Sequence, residues 1–367
     1  MLVLIAGITS DLGCRLGMAA KARGLSVRGL GCDATKLNSE LLNSLEAFIT
    51  SRNYYDVPAL DEAVAGVDAV ICAYTPSPLL DLDASLLLLR AAERANVKVF
   101  VAPSWTNDWT KIKFGELEAY DPHIAFEQQA GMTSSIKPAY IFTGVSANLL
   151  YTPHGPGGFD TSGDIPVMRY WGDGNKQLYP WSDPDDAAAW TIEILINGVG
   201  VREGNGGFFQ VRSGELTIEE LALRYEECTG TYVEVRREGS LIDLADEVSE
   251  LRKKKGRARY YEYMPQAAAL IGDRGFWKMD NVLDLDGAHK PTRIEDVLSR
   301  RSNLCALPPQ SFSTYLYENH EADDIVTKPM PRYWAEKPCV LISVENLKLE
   351  HGVQLDLLDL GQEVDVG

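Results

Sequence analysis

Along the first 142 residues, short β-branched apolar runs alternate with amphipathic stretches in which apolar residues return every three or four positions. A short continuous apolar run reads as a strand buried on both faces, and the 3.6-residue return reads as a helix lying over it. The pattern predicts strands at 2–6, 26–30, 46–50, 69–73, 98–102 and 139–142, and helices around 11–23, 39–42, 57–64 and 84–95. Strands that alternate with helices join by right-handed crossovers and place helices on both faces of a parallel sheet. The expectation is an α/β chain, with a Rossmann-like doubly wound sheet over residues 1–150 whose ligands sit at the carboxyl ends of the strands.

After Asn148 the texture changes. Glycine and proline punctuate "TPHGPGGFDTSGDIP", and "YWGDGNKQLYPWSDPDDAAAWTIEIL" reads as a hairpin running into a helix capped by Ser182 or Asp183. "GGFFQVRS" then reads as a strand, and "TIEELALRYEECTG" as a helix with Thr217 as cap, Glu220 at the capping-box position and Gly230 as terminator. Residues 151–300 are therefore expected to form a smaller α/β substrate lobe. Residues 301–367 are expected to form a C-terminal extension, in which "PCVLISVENLKLEHGVQLDLLDL" has the alternation of two strands.

Composition narrows the function classes. With 367 residues the chain exceeds one ordinary domain, and its net charge of −18 leaves no basic excess for a nucleic acid or an acidic membrane surface. The basic run "LRKKKGRAR" follows the acidic "DLADEVSE", as on a solvated charged helix. Six cysteines stand apart, without a paired spacing and without histidines at ligand distance, so neither a disulfide framework nor a metal site is expected. The amino terminus has no basic leader, and no apolar run reaches the length of a membrane span. A cytoplasmic protein acting on a small molecule, as a monomer or homodimer, is the expectation.

The opening stretch "LVLIAGITSDLG" runs a strand into Gly7, Gly13 and a helix. Free backbone N–H groups and the positive end of a helix dipole make such a turn a phosphate site. Gly7, Thr9, Ser10, Leu12 and Gly13 are its candidate residues. Ser10 replaces the middle glycine of the dinucleotide fingerprint, and its hydroxyl is read as a substitute phosphate donor beside Thr9. Alternatively, the two glycines serve a strand-to-helix turn alone. At the end of the second strand, where an acid selects NAD and an arginine NADP, stand Gly31 and Cys32, followed by Asp33 and Lys36. These leave the cofactor open between NADP and NAD. Tyr74 and Thr75, after the fourth strand, and Ser104, after the fifth, complete the candidate cofactor contacts.

An ordered series of motifs then comes into view. "LVLIAGITSDLG", "PALDEAVAGVDAVICAY", "ASLLLLRAAERANVKVFVAPSW", "SIKPAYIFTGVSANLL", the Gly-Asp-Gly segment at 172–174 and "KPTRIEDVL" together resemble the NmrA-like and isoflavone-reductase-like branch of the atypical short-chain dehydrogenases, its fungal members above all. The resemblance covers about residues 1–300. It implies a Rossmann-like fold, a nicotinamide site with NADPH slightly favoured, and substrates that are often aromatic secondary metabolites.

The chain departs from that pattern at the chemistry. Where the family's reductases carry a lysine beside the nicotinamide, "DPHIAFEQ" offers only His123, and no Tyr-x-x-x-Lys pentad surrounds Tyr120 or Tyr140. His123 is the candidate catalytic acid, or else a helix-start residue that faces solvent or a backbone carbonyl. Trp105, Asn148 and His154 are candidate substrate contacts, Trp105 by stacking on a flat ring. Tyr170 and Trp171 are expected to pack. Asp183, Asp185 and Asp186 are expected to cap a helix rather than bind metal. The sequence thus points to an NAD(P)-dependent reductase of a small, aromatic enone or carbonyl. It leaves open a cofactor-independent isomerase, cyclase or dehydratase, or a dinucleotide-sensing regulator.

Overall fold

In the computed structural model, which describes residues 1–74 and 81–304, the early alternation becomes β1 (Leu2–Ala6), α1 (Asp11–Ala22), β2 (Ser26–Gly31), α2 (Ser39–Ser44), β3 (Ala47–Thr50), α3 (Val57–Val64), β4 (Ala69–Cys72), α4 (Asp81–Arg94), β5 (Val99–Val101), α5 (Asp121–Thr133) and β6 (Ala139–Phe142). The six expected strands are all present, with ends displaced by one residue at most. The second half supplies β7 (Val145–Ser146), β8 (Val167–Trp171), β9 (Tyr179–Ser182), α6 (Pro184–Asn197), β10 (Gly207–Gln210), β11 (Gly214–Leu216), α7 (Ile218–Thr229), β12 (Glu234–Gly239), α8 (Leu241–Lys255), α9 (Met264–Gly272) and α10 (Ile294–Leu304).

Seven strands form one parallel sheet in the order β10-β6-β5-β4-β1-β2-β3. The pleat divides each strand between two cores. Leu4, Ala6, Val70 and Cys72 join Leu60, Leu88 and Phe126 on one face, while Val3, Ile5 and Ile71 join Leu16, Ala20 and Trp190 on the other. Period-two burial of this kind fixes the register, because a one-residue slip would exchange the two faces. The strand order reverses at β1, which lies between β4 and β2, so the loops after β1 and β4 flank the crevice where such sheets bind ligands.

One expectation for the second half changes. β8 and β9 do not form a hairpin: β8 pairs in parallel with β12, while β9 pairs with β7 and β11. Their partners lie far along the chain, beyond what a local turn pattern can specify. The strand read in "GGFFQVRS" is β10, which returns to the main sheet and pairs with β6. All described residues fall within one compact unit. The α7 termini are as expected, with a reciprocal Thr217–Glu220 capping box and Gly230 left-handed at φ 71°. Thr75 and the C-terminal stretch from residue 305 lie outside the described residues.

Candidate functional site

The turn after β1 is enforced by close backbone approach. Gly7 has φ +80°, and a Cβ there would lie 2.4 Å from the Ala73 carbonyl oxygen; at Gly13 it would lie 2.2 Å from the Gly7 carbonyl oxygen. Only hydrogen fits at either position. Ser10 caps α1, accepting from the Gly13 amide at 3.0 Å, and its hydroxyl donates to the Ala73 carbonyl at 3.1 Å. Its one proton therefore ties β1 to β4, which corrects the expectation that it serves a phosphate. Leu12, in the first turn of α1, is partly buried and packs against the core. The Asp11 and Leu12 amides head the helix without an acceptor inside it, so the loop fits a pyrophosphate through backbone donors. Asp11 stands at the same mouth, its carboxylate 3.1 Å from Arg15, which also pairs with Asp185.

The end of β2 is built more sparingly. Gly31 leaves room for Thr9, whose Cγ2 would lie 3.0 Å from a Cβ there. Cys32 is an exposed free thiol. Asp33 caps a short turn, accepting from the Thr35 amide at 2.9 Å and hydroxyl at 2.7 Å, and these bonds hold its carboxyl below the usual range. It is an ionised acceptor at the end of β2, and among the described residues no arginine pairs with it. Arg52, at the end of the neighbouring β3, is engaged by Asp56 at 3.0 Å. Tyr74 closes the corner, packing edge-on to Tyr54 with centroids 4.9 Å apart.

At the carboxyl ends of β5 and β6 the side chains sort differently from expectation. Ser104 is buried and joins the two strands, donating to the Ala102 carbonyl at 3.0 Å and accepting from the Ile141 amide at 2.7 Å. Its one hydroxyl proton is committed to the Ala102 carbonyl. Trp105 turns toward α6, its indole N–H on Thr191 Oγ1 at 2.8 Å. Asn148 is exposed and is not part of the cavity described below. Strand position foretold where these residues stand, but not which way they point.

His123 stacks on Trp109, with ring centroids 6.1 Å apart and an interplanar angle of 10°. Desolvation lowers its pKa to about 4 against a bond to the Pro103 carbonyl, so it is neutral near pH 7. A neutral imidazole committed to a carbonyl is a poor proton donor, and the alternative of a helix-start histidine on a backbone carbonyl describes it better. The neighbouring Tyr120 is kept protonated by burial. Its oxygen lies 3.5 Å from the Asn107 amide nitrogen, and its ring meets Trp277 edge-on at 5.7 Å.

Asn107 and Trp277 belong to a cavity of about 240 Å³ that begins beyond β5 and β6 and is closed by the second half of the chain. Trp171, Tyr179 and Val145 wall it together with His154, whose pKa burial lowers. Trp171, expected only to pack, is a wall of the cavity. The wall is fastened by a buried carboxylate that sequence reasoning missed. Asp273 accepts from the Trp171 amide and from the Tyr179 hydroxyl, each at 2.7 Å, and burial raises its pKa to about 6. Asp183 caps α6 as expected, but Asp186 does more. Buried, it accepts from Ser213, from His289 at 2.7 Å and from the Thr292 amide at 2.7 Å and hydroxyl at 2.9 Å, clasping residues 289–292 to α6. Nothing local in "SDPDDAAAW" distinguishes it from its neighbours.

This architecture has many structural counterparts. An isoflavone reductase superposes with TM-score 0.63 at 17% identity, covering 82% of this chain and 99% of its own. The complex of leucoanthocyanidin reductase with NADPH from Vitis vinifera gives 0.62 at 18%, with 82% and 99% covered. The NADPH complex of an Escherichia coli quinone oxidoreductase gives 0.62 at 17%, with 82% and 100% covered. Likeness at these identities concerns the fold. No curated protein sequence matches the chain significantly. No helix among the described residues is long and apolar enough to cross a membrane. The model of the NmrA-like family matches residues 1–238, well over half of the sequence, and the chain belongs to that family.

Proposed function

We propose that this protein is a nicotinamide-dependent reductase of a small aromatic enone or carbonyl compound, using NADP(H) as the structurally similar reductases do. One observation carries the reading: the glycine turn after β1 and the aromatic cavity beyond β5 and β6 open along the carboxyl edge of the same sheet. An extended dinucleotide laid past β4 from the first would reach the second. The Asp11 and Leu12 amides hold its pyrophosphate, with Thr9 and Asp33 toward the adenosine and Tyr74 over the crevice. A reduced nicotinamide supplies hydride when bound. The chain itself orients the substrate between Trp171 and Trp277, excludes water, and delivers a proton to the substrate oxygen from the Tyr120 phenol. His123 shapes the site by packing.

The test is turnover of an enone and quinone panel with NADPH, in the wild type and two variants. Tyr120→Phe is expected to lower kcat about 100-fold with the KM for NADPH unchanged, and His123→Gln to lower it less than about tenfold. Absence of NADPH binding and turnover in the wild type rejects the reading. A silent Tyr120→Phe with an inactive His123→Gln reverses the two roles. A second reading, cofactor-independent isomerisation or cyclisation in the same cavity, is favoured by the engaged Ser10 hydroxyl and by Cys32 at the adenosine corner. Substrate conversion without dinucleotide would establish it.

A further inference from the structure

We propose a second ligand site, apart from the reductase cavity: a hollow between the segment after β5, α5 and the outer strand β10 binds a primary organic ammonium with an aromatic body, its cation on Glu127 with the Asp108 charge in support and its ring against Phe208. The site stands whether or not the first cavity reduces a substrate.

The hollow has a volume of about 450 Å³ and shares no lining residue with the aromatic cavity beyond β5 and β6. Asp108 and Trp109 come to it from the segment after β5, Glu127 from α5, and Phe142 and Phe208 from β6 and β10. Phe208 is 51% exposed although it belongs to the main sheet. Its ring stacks on Tyr140 at 4.9 Å, lies parallel to Phe142 at 6.0 Å and meets Trp109 edge-on at 6.3 Å, and it still keeps half of its surface open. An accessible aromatic ring attracts a cation through its quadrupole and an apolar ligand ring by stacking.

Charge sets the sign of the ligand. No lysine or arginine lines the hollow. Asp108 is 5% exposed, yet its carboxylate meets uncharged donors alone, the Thr110 amide at 3.1 Å and hydroxyl at 2.5 Å and the Gln210 side-chain amide at 2.9 Å. Glu127, partly buried, has no hydrogen bond or ion pair among the described residues. After burial, its charge is what raises the pKa of the Tyr140 phenol, so the Glu127 carboxylate lies within electrostatic reach of the Tyr140–Phe208 stack. Lys111 is committed to Asp280 at 3.1 Å, and His123, stacked on Trp109, is neutral. Carboxylates withdrawn from water without a counter-ion are costly and give a recess of low dielectric a negative potential. An entering cation offsets that cost, and an anion adds to it. The described residues hold no cluster of His, Cys, Asp or Glu fit for a metal ion, and a hydrated metal would leave the rings unused. A primary ammonium uses both, by donating to Glu127 while its ring covers Phe208, and the volume admits one ring on a short chain.

The probe is 2-phenylethylammonium, titrated calorimetrically near neutral pH into the full-length protein without dinucleotide. Two analogues of nearly the same shape accompany it, the neutral 2-phenylethanol and the anionic 3-phenylpropionate. The ammonium is expected to bind about tenfold tighter than the alcohol, and the carboxylate to bind more weakly than either. Glu127→Gln keeps the shape of the side chain and is expected to weaken the ammonium about five- to tenfold while leaving the alcohol unchanged. Phe208→Ala is expected to weaken the ammonium and the alcohol alike, by about three- to tenfold. Glu127→Gln, on the partly exposed face of α5, keeps the test intact should Phe208→Ala fail to fold. An alcohol or carboxylate that binds as tightly as the ammonium overturns the proposal, and so does absence of ammonium binding at roughly millimolar concentration. Ammonium binding that Glu127→Gln leaves unchanged belongs to another place on the molecule and overturns it as well.

Discussion

The two parts of the proposed site are made of different material. The turn after β1 is backbone: at Gly7 and Gly13 the main chain passes so near itself that a methyl group has no place, and the available donors are amides at the head of α1. The cavity is walled mainly by side chains, two indoles and two amides among them, beside the glycine- and proline-rich segment 153–158, and its wall is fastened by the buried Asp273 carboxylate. Backbone sites are recognised in sequence by glycine spacing because sterics allow no alternative. A side-chain site depends on orientation and on distant partners, so it can change its chemistry while the fold persists.

Breaking the backbone end should have the largest effect. Gly13→Ala puts a Cβ 2.2 Å from the Gly7 carbonyl oxygen and 2.8 Å from Ile8 Cα, atoms that cannot swing aside. A loss of about 3 kcal/mol or more is expected in denaturant unfolding. Gly131→Ala, in α5 with nothing within 4 Å, is the control and should be neutral or stabilising by about 0.5–1 kcal/mol. Equal losses in the two variants would refute the steric account of the turn.

The same division explains what the sequence made legible. β1, β4, β5 and β6 could be located to within a residue because both faces of each strand are buried and the apolar runs are continuous, whereas β3, at the sheet edge, is only partly buried. α5 could be read only as a start near Pro122, since its buried Ile124, Phe126 and Ala130 do not make a single helical stripe. Gly7 and Gly13 were readable; the competing engagement of Ser10 by Ala73 was not, because it depends on a residue sixty-three positions away. Ser104 and Trp105 lie at the expected strand end but turn inward and toward α6, and Asn107, two residues on, lines the cavity. Residues 257–272 supply Gln266 through a helix that the apolar pattern did not single out.

The side-chain end should yield next, with an unusual dependence on pH. Asp273 has a folded pKa of about 6, above the ordinary 3.8, so between roughly pH 4 and 6 the folded state binds a proton that the unfolded chain has released. Its contribution to stability therefore increases as the pH falls from 7 toward 4, the reverse of an ion-paired carboxylate, by about 2–3 kcal/mol. Asp273→Asn should flatten this part of the stability profile and loosen Trp171 and Tyr179, visible as a shift in tryptophan emission. A wild-type profile that coincides in slope with the variant from pH 7 to pH 4 would contradict the assignment.

The smallest effect sharpens the contrast most, because it separates charge from geometry within the backbone end. Asp11 places a carboxylate beside amides suited to a pyrophosphate, with Arg15 shared between it and Asp185. Asp11→Asn removes repulsion toward a dinucleotide while leaving the turn intact, and frees Arg15 to move toward the phosphates. Binding of NADP⁺ measured by calorimetry should tighten by about two- to fivefold, more at low salt than at high. The same change removes an acid from the first turn of α1, so stability should drop by about 0.3–1 kcal/mol even as affinity rises. Opposite signs in the two measurements are the mark of an anion site whose own first-turn acid competes with its ligand. If affinity falls together with stability, Asp11 instead serves the loop as a structural cap and the pyrophosphate does not pass its carboxylate.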